Sequence, residues 1–359
     1  MLPGAHGDIV MGTPFLAALR DAYPEAHLTW IVERTDAGAI DANPFIDECL
    51  LWDTHYWKRM MRRGLYPLWL VRALALKREL RRRRYDIYVS YKPEEWPLLA
   101  YGVGAPLSVG VFDTFRQYHG ATRASRYTRL YTHSYVYPHV PPHRVDQYLM
   151  PLQALRLMPP AEKQMCIGFT AEDAAAVEEF LGEHQVSDSD RLIVLAPMTT
   201  WPSRCWPGER YAALGDALAA RHGCRVVLIG SAREGAAVAA VAAQMTSGPV
   251  QAAGALSFRQ MAALIARSPL VISGDTGPMH VAAAVGTPFL ALFGPTPVAE
   301  RAPLAGRGLT LMHPVPCGPC DRKVCPNTGE DFMRCMKLLT VSGVLEAAAG
   351  LLTKQKATP

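Results

Sequence analysis

The residues after position 270 combine the types that proteins use to hold a phosphate group. The apolar run Leu270–Ser273 indicates a buried strand, and Gly274–Gly277 follow it as a turn that leads into a helix. A helix begins with backbone N–H groups that lack partners and with partial positive charge, which favours a bound anion. Asp275 or Thr276 would cap this helix, and His280 would add a polar group one turn inside it. The pattern predicts an anion site at the carboxyl end of a strand, where open α/β sheets bind ligands.

A second glycine turn lies near the start of the chain and carries another candidate chemical group. The turn Gly4-Ala5-His6-Gly7-Asp8 is followed by the helical run Ile9 to Ala22. Asp8 could act as a general base that takes the proton of a hydroxyl group. An aspartate before a helix is most often an N-cap, and local sequence alone favours that interpretation. Both interpretations predict a carboxylate at the start of a helix.

Several short motifs accompany these two turns along the chain. They are Gly7-Asp8 with Thr13-Pro14, Ala196-Pro197 with Thr199-Thr200, Arg204-Cys205-Trp206-Pro207, Gly274-Asp275-Thr276-Gly277 with His280, Gly286-Thr287-Pro288, Leu292-Phe293-Gly294-Pro295-Thr296, and a cysteine-rich segment from Cys317. Their order and spacing resemble glycosyltransferase family 9, the bacterial lipopolysaccharide heptosyltransferases, over nearly the whole chain. In the family an apolar strand precedes the Gly-Asp turn. Here only Met1 and Leu2 precede Pro3-Gly4, so we expect the first sheet to lack that strand or the chain to begin downstream of it.

The resemblance implies an α/β chain of two Rossmann-like domains that face each other across a cleft, the GT-B architecture. Residues 1–160 would form the N-terminal, acceptor-binding domain, residues 161–340 the C-terminal domain that binds a nucleotide-sugar donor, and residues 341–359 a helix that packs back on the N-terminal domain. The implied function is inverting, metal-independent transfer of heptose from ADP-heptose to an inner-core sugar of lipopolysaccharide, with no cofactor. The alternatives are a nucleotide-sugar epimerase or hydrolase of similar fold, or a non-catalytic nucleotide-sugar binding protein.

The resemblance also assigns roles to single residues. It makes Asp8 the catalytic base. It places Arg204 where family members carry a basic residue, so that its guanidinium could bind a diphosphate in bidentate fashion; the alternative is an exposed loop charge. The other residues assigned to the donor are Thr199, Thr200, Ser203, Asp275, Thr276, Gly277 and His280.

Residues 58–84 carry an uneven share of the charge, with eleven Lys or Arg against one acid, Glu79. Aromatic and leucine side chains are interleaved with them, which is typical of basic amphipathic helices. Such helices could lie against the anionic surface of the inner membrane or bind a phosphorylated acceptor, an anionic glycolipid, through Arg62 and Arg63. A solvated helix face is the simpler alternative. We expect no nucleic-acid partner, because no motif for one accompanies the charge and the isoelectric point is only about 8.7.

The cysteine-rich segment and an Asp-Ser-Asp triplet raise the question of metals. The cysteines follow the spacing C-x2-C-x4-C-x9-C, which is compatible with a structural zinc site or with buried thiols: Cys317, Cys320, Cys325 and Cys335. Arg322, Lys323 and Arg334 nearby could reach a phosphorylated acceptor. Asp188-Ser189-Asp190 precedes a strand, so we expect it at the amino end of the sheet as a polar turn. We therefore predict no catalytic metal.

Periodicity outlines the elements that must position these residues. The second half repeats strand and helix regularly, which is typical of a parallel sheet. The expected strands are His27–Val32, Asp86–Ser90, Ser108–Val111, Leu192–Ala196, Arg225–Ile229, Leu270–Ser273 and Phe289–Phe293. The expected helices are Ile9–Ala22, His143–Leu157, Ala171–Glu183, Gly208–His222, Ala232–Met245, Ser257–Ala266, Pro278–Val285 and Val341–Leu352, with Arg116–Pro142 as loop.

Length and composition agree with this organisation. A chain of 359 residues, half of them hydrophobic, can bury two cores. No apolar run approaches the ~20 residues needed to cross a bilayer, and no signal peptide is evident. We therefore expect the protein in the cytoplasm, including the cytoplasmic face of the inner membrane.

Overall fold

The computed structural model describes residues 6–91, 99, 103–112, 127–136, 143–304 and 306–356. The chain divides into two compact units, Met1–Ala161 and Glu162–Pro359. The domain boundary predicted from the sequence, between residues 160 and 161, lies one residue before the boundary between these two units. The beginning of the first glycine turn and most of the predicted loop Arg116–Pro142 lie outside the described residues.

The first unit is built from short parallel strands with helices between them. Its described strands are β1 (Thr29–Glu33), β2 (Glu48–Trp52), β3 (Ile87–Tyr91), β4 (Leu107–Phe112) and β5 (His133–Val136). The helices of a turn or more whose bounds fall within the described ranges are α1 (His6–Ala22), α2 (Thr54–Arg62), α3 (Tyr66–Arg82) and α4 (Arg144–Leu149). Among the described residues the strands form two parallel sheets, β1-β2 and β3-β4-β5.

Strands β1, β3 and β4 confirm the prediction to within two residues, but β2 and β5 were not predicted. The prediction of loop was wrong at His133–Val136. This stretch is short and polar, so its own pattern does not distinguish it from a turn. Pairing with β4 makes it a strand, in a register that sets Val109 beside His133. Tertiary context thus overrides local polarity here.

Helix α1 contains Pro14 and nevertheless continues for seventeen residues. A proline has no N–H, so it leaves the carbonyl four residues earlier, that of Val10, without its helical partner. The hydroxyl of Thr13 donates a 2.7 Å hydrogen bond to that carbonyl oxygen, and Thr13 is fully buried. The hydroxyl of Thr13 therefore replaces the hydrogen bond that Pro14 cannot make.

The helix predicted over His143–Leu157 is shorter than expected. Regular α-helix ends with α4 at Leu149, and Met150–Gln153 continue as a 3-10 turn. Pro151 explains the change, because it cannot donate to the carbonyl of Gln147. The bonds that follow span three residues, as from the amide of Ala154 to the carbonyl of Pro151.

The second unit is a six-stranded parallel sheet flanked by helices. Its strands are β6 (Leu192–Ala196), β7 (Arg225–Leu228), β8 (Val250–Gln251), β9 (Val271–Gly274), β10 (Phe289–Phe293) and β11 (Gly308–Met312). Its helices are α5 (Ala171–Glu183), α6 (Gly208–His222), α7 (Gly235–Ala242), α8 (Phe258–Arg267), α9 (Gly277–Ala284), α10 (Val298–Arg301), α11 (Arg334–Lys337) and α12 (Val341–Lys356). Strands β6, β9 and β10 are buried along their whole length, as expected of a parallel sheet covered on both faces.

The strand order of this sheet is β11-β10-β9-β6-β7-β8. From β6 the chain moves outward through β7 to β8, and from β9 it moves the other way through β10 to β11. The order therefore reverses between β6 and β9, which is the doubly wound Rossmann arrangement. Ligands bind such sheets in the crevice beyond the carboxyl ends of the strands at this point of reversal.

Helix α12 closes the core of the second unit. Val344, Ala348 and Leu352 are nearly inaccessible and join its main apolar cluster, and Arg221 of α6 forms a 2.5 Å ion pair with Glu346. The packing of this helix on the N-terminal domain stays a prediction. None of the helices in the described ranges has both the length and the apolar character that a bilayer crossing requires.

Candidate functional site

The first candidate site is formed by two loops that leave β6 and β9 at their carboxyl ends. These strands are hydrogen-bonded neighbours, with Ala196 beside Ser273. The loop after β6 can approach β9 closely because residue 274 is glycine. A Cβ atom on Gly274 would lie 2.8 Å from Cγ2 of Thr199 and 3.1 Å from the carbonyl oxygen of Arg204. The glycine thus brings Arg204 to the start of the next helix.

Arg204 is not an exposed loop charge, which was the alternative interpretation. Three groups hold its side chain: the carboxylate and the carbonyl of Asp275, and the ring of Trp201. Its side chain is 8% exposed. Its Nη1 atom lies 3.3 Å from Oδ2 of Asp275 and 3.4 Å from the carbonyl oxygen of Asp275. The ring of Trp201 lies 3.8 Å from the guanidinium carbon. Ion pairing and stacking together fix the plane of the guanidinium.

Asp275 orients Arg204 and does not cap the helix. Its carboxylate accepts a 2.6 Å hydrogen bond from the hydroxyl of Thr296, which is fully buried. Thr276 occupies the N-cap position of α9 in an extended conformation, and its side chain makes no capping hydrogen bond within the described chain. Pro278 has no N–H and the amide of Met279 donates to the carbonyl of Thr276, so the amide of Gly277 is the donor that the first turn of α9 offers to another acceptor.

A second arginine, which sequence analysis did not select, extends this arrangement. Arg301 at the end of α10 places Nη2 3.0 Å from both carboxylate oxygens of Asp321. Asp321 also lies 4.0 Å from Nη2 of Arg204, and the guanidinium of Arg301 lies 5.5 Å from the ring of Trp201. Asp321 thus links the two guanidinium groups. The only signal for these residues was their closeness in sequence to the Gly-Pro-Thr motif and to the first cysteines.

The predicted hydroxyl donors have different positions. Thr199 donates 2.7 Å to the carbonyl of Trp201, and Ser203 donates 2.6 Å to the carbonyl of Arg322, so both hydroxyls shape the loop. Thr200 is exposed. His280 is 3% exposed, within the buried run of α9. Contacts of these residues and of Gly277 with a donor stay predictions.

The four clustered cysteines line one cavity of about 280 Å³, together with Ser203 and Arg322. Burial raises the pKa of the Cys335 thiol, and the neighbouring Cys317, Cys320 and Cys325 raise it further. The described residues nevertheless contain no group of three or more His, Cys, Asp or Glu side chains arranged to hold a metal ion. A zinc site at these cysteines stays a prediction, with buried thiols as the alternative.

The Asp-Ser-Asp triplet is a polar turn before β6, as predicted. The carboxylate of Asp190 accepts hydrogen bonds from the backbone and hydroxyl of Ser187 at 2.7 and 2.9 Å. These bonds lower the pKa of Asp190. Arg267 donates to the carbonyl of Asp188 at 3.0 Å. The triplet therefore lies at the opposite end of the strand from Arg204.

The second candidate site contains Asp8, which lies in the first turn of α1. The prediction of a turn at this position was wrong for His6–Asp8, which are already helical; an acid in the first turn suits the positive end of the helix. Tyr148 of α4 donates a 2.8 Å hydrogen bond to Oδ1 of Asp8. Tyr91 packs edge-on against Tyr148 at 5.2 Å and donates a hydrogen bond to its carbonyl. Neither tyrosine was predicted from the sequence.

A histidine–aspartate pair lies beside Asp8. Nε2 of His6 is 3.3 Å from Oδ1 of Asp36. Burial lowers the pKa of His6 against the opposing effect of Asp36, and burial raises the pKa of Asp36, with the charge of Asp8 adding to this rise. Both shifts disfavour charge on the pair. Arg62 and Arg63, predicted to bind the acceptor, are exposed at the end of α2.

Comparison with known proteins identifies the family. The model of glycosyltransferase family 9 (heptosyltransferase) matches residues 73–330. The chain is 23% identical over 292 residues to the lipopolysaccharide core heptosyltransferase OpsX of Haemophilus influenzae, covering 80% of this chain and 76% of that protein. It resembles the crystal structure of a family 9 glycosyl transferase from Veillonella parvula with a TM-score of 0.82 and 25% identity, over 98% of this chain and 96% of that one.

A further structure, ADP-heptose lipopolysaccharide heptosyltransferase II of Escherichia coli, aligns with a TM-score of 0.76 and 22% identity, over 99% of this chain and 98% of that one. These likenesses confirm the expected GT-B class of fold, and the family model covers well over half of the chain. Asp8 lies outside the matched range. The chain belongs to glycosyltransferase family 9, the heptosyltransferase family, and is a glycosyltransferase.

Proposed function

We propose that this chain transfers heptose from ADP-heptose to an inner-core sugar of lipopolysaccharide, with inversion at the anomeric carbon and without a metal. The observation that carries the proposal is the arginine held at the reversal point of the sheet. Arg204 lies beside the start of α9, ion-paired to Asp275 and stacked on Trp201. The names of OpsX and of the E. coli enzyme give the acceptor and donor classes.

The departing ADP needs positive charge near its diphosphate. The guanidinium of Arg204 and the amide of Gly277 at the positive end of α9 would supply it, and Arg301, which shares Asp321 with Arg204, would add a second guanidinium. A guanidinium has five N–H donors, so it can keep its carboxylate partner while it binds phosphate oxygens. Groups fixed in advance lose little energy to reorganisation when the sugar–phosphate bond breaks. This arrangement can perform the task that other transferases give to a divalent metal.

The acceptor hydroxyl needs a base. Asp8 would take its proton as the oxygen attacks the anomeric carbon from the face opposite to the departing ADP. The hydrogen bond from Tyr148 occupies Oδ1 of Asp8 and so fixes the orientation of the carboxylate. A single direct displacement of this kind inverts the anomeric configuration.

Turnover of ADP-heptose in the presence of EDTA tests the proposal. The acceptor would be a deacylated inner-core oligosaccharide, and the product would be followed by mass spectrometry and its anomeric configuration by NMR. We expect an inverted product that forms only when acceptor is present. Release of ADP without acceptor would indicate a hydrolase, and binding without turnover would indicate a binding protein. Loss of activity with EDTA and recovery with Mg²⁺ would disprove metal independence.

A further inference from the structure

The hairpin formed by α2 and α3 has an unusual surface for a globular protein. Seventeen large apolar side chains are exposed in the described part of the chain, and seven of them lie within the fourteen residues 61–74. They are Met61, Leu65, Tyr66, Leu68, Leu70, Val71 and Leu74. Single exposed apolar residues are common, but a cluster of this size marks an interaction surface.

The exposed apolar side chains are separate from those that pack against the core, because the hairpin has an inner face of its own. Trp57 stacks on Trp52 at 5.3 Å and meets Trp69 edge-on at 6.0 Å. One face of α3 continues inward through Leu76 to Leu80, which is 2% exposed in the core of the first unit. Leu70, Val71 and Leu74 are exposed on the opposite face of the same helix.

The outer face of α3 changes character along its length. Leu70, Val71 and Leu74 are followed at helical spacing by Arg78, Arg81 and Arg82, and all six are exposed. An open groove of about 490 Å³ lies at this transition, lined by Leu74, Lys77, Arg78, Arg81, Arg82 and Arg84. Apolar side chains thus adjoin an open basic groove on the same helix.

The hairpin is also strongly positive. Residues 58–84 contain eleven basic residues and one acid, and that acid, Glu79, pairs with Arg83 at 3.1 Å. Arg83 also pairs with Glu48 at 2.5 Å, outside the hairpin. The net positive charge therefore remains on the same surface as the exposed apolar residues.

We propose that the α2–α3 hairpin docks the protein on a bilayer of anionic phospholipids. Leu70, Val71, Leu74 and their neighbours would enter the boundary between headgroups and acyl chains, and the arginines of the groove would bind headgroup phosphates. A second copy of the chain fits poorly, since a symmetric interface would bring two strongly positive surfaces together. A nucleic acid would bind the charge but would leave the leucines exposed. This surface shares no residue with the candidate groups of the reaction, Asp8 and Arg204.

Vesicle flotation of the full chain tests the proposal. Vesicles of phosphatidylcholine alone are compared with vesicles of equal parts phosphatidylcholine and phosphatidylglycerol, with no lipopolysaccharide present. We expect binding to the anionic vesicles that weakens with added salt, and little binding to the neutral ones. Equal binding to both, or to neither, would overturn the proposal.

Two double variants separate the apolar and the basic parts of the surface. Leu70→Ser with Leu74→Ser, and Arg78→Glu with Arg82→Glu, should each reduce vesicle binding about tenfold or more. Met158→Ser, at a site that is 86% exposed elsewhere, is the apolar control, and Arg129→Glu with Arg233→Glu, also at exposed sites, is the charge control. The controls should bind as the parent does. Unchanged binding in either hairpin variant would contradict the proposal.

Transfer to a deacylated acceptor, measured without vesicles, distinguishes docking from catalysis. Both hairpin variants should keep the parent rate, because they alter no residue assigned to donor or acceptor. A lost rate would assign the surface to acceptor recognition instead. Hairpin-dependent dimerisation in size-exclusion chromatography would assign it to a second copy. If the parent protein binds vesicles but transfers no heptose, the proposed function fails and the docking proposal stands.

Discussion

The hydroxyl of Tyr148 donates a 2.8 Å hydrogen bond to the carboxylate of Asp8, although 140 residues separate them in the chain. The bond joins the start of α1 to α4 and restricts rotation of the Asp8 side chain. This contact connects Asp8 to a side chain outside its own helix, so substitutions of Asp8 and of Tyr148 test whether the carboxylate has a chemical role.

Replacement of Asp8 by Ala should lower the rate of transfer by about 10²–10⁴-fold, the usual contribution of a general base. Donor affinity, measured by calorimetry with ADP, should stay within about twofold because the role proposed for the carboxylate is on the acceptor. Asp53→Ala is the matched control, since Asp53 is a true N-cap that accepts a 2.7 Å bond from the amide of Tyr56. It should cost about 1 kcal/mol of stability and leave the rate unchanged. If Asp8→Ala behaves as this control does, Asp8 is only a cap.

Replacement of Tyr148 by Phe should lower kcat about tenfold, as expected when a hydrogen bond to a charged group is lost. The ring would still pack against Tyr91, so the thermal unfolding temperature should change little. The KM for donor should be unchanged, and steady-state kinetics with both substrates varied gives these values. An unchanged kcat would show that the bond to Asp8 does not position the base.

Replacement of Arg204 by Lys should weaken ADP binding about 10–100-fold even though the charge is kept. A lysine loses both the planar stacking on Trp201 and the paired N–H donors. Asp321→Asn should weaken binding less, because it only loosens the two guanidinium groups. Arg233→Lys, an exposed site in the same unit, is the control for calorimetry. Equal affinity in Arg204→Lys and in this control would remove Arg204 from the donor site.

Replacement of Gly274 by Ala should lower the free energy of unfolding by about 1–3 kcal/mol and weaken ADP binding, because the new methyl overlaps Cγ2 of Thr199. Adding Thr199→Ser removes that methyl and keeps the hydroxyl, so it should restore part of both losses. Gly182→Ala, where nothing lies within 4 Å of the new methyl, should instead stabilise helix α5 by about 0.5–1 kcal/mol. Urea unfolding measures all three, and an absence of rescue by Thr199→Ser would refute the close-approach argument.

The free energy of unfolding should fall at low pH because the carboxylate of Asp216 becomes protonated. Burial opposes ionisation of this carboxyl, but hydrogen bonds from Thr246 and Ser247 outweigh it and lower its pKa to about 2. Because the folded pKa lies below the unfolded one, the stabilisation is complete above about pH 4 and is lost as the pH falls towards 2. Asp216→Asn should remove about 1–2 kcal/mol at neutral pH and flatten this decline in urea titrations at several pH values. Asp188→Asn, at an exposed carboxyl, should follow the parent curve.

Local sequence was enough to predict a structural feature where one short segment of the chain forms it. The strand–turn–helix from Leu270 to Ala284 was predictable because the apolar run and the glycine turn adjoin in sequence. The ion pair between Arg301 and Asp321 and the bond between Tyr148 and Asp8 were not, because each depends on how distant elements meet. Strand β5 forms because it pairs with β4, and its own polar residues do not predict a strand.

Ser203 connects the loop after β6 to the cysteine-rich segment. Its hydroxyl binds the carbonyl of Arg322 and its amide binds the carbonyl of Lys323, while Asp321 beside them contacts Arg204. The loop after β6 and the cysteine-rich segment are thus joined at adjacent points. If Arg204 binds the diphosphate as proposed, a bulky group attached to a thiol in the cavity would press on the segment that is joined to the Arg204 loop. We therefore expect alkylation of the clustered cysteines to weaken the binding of ADP.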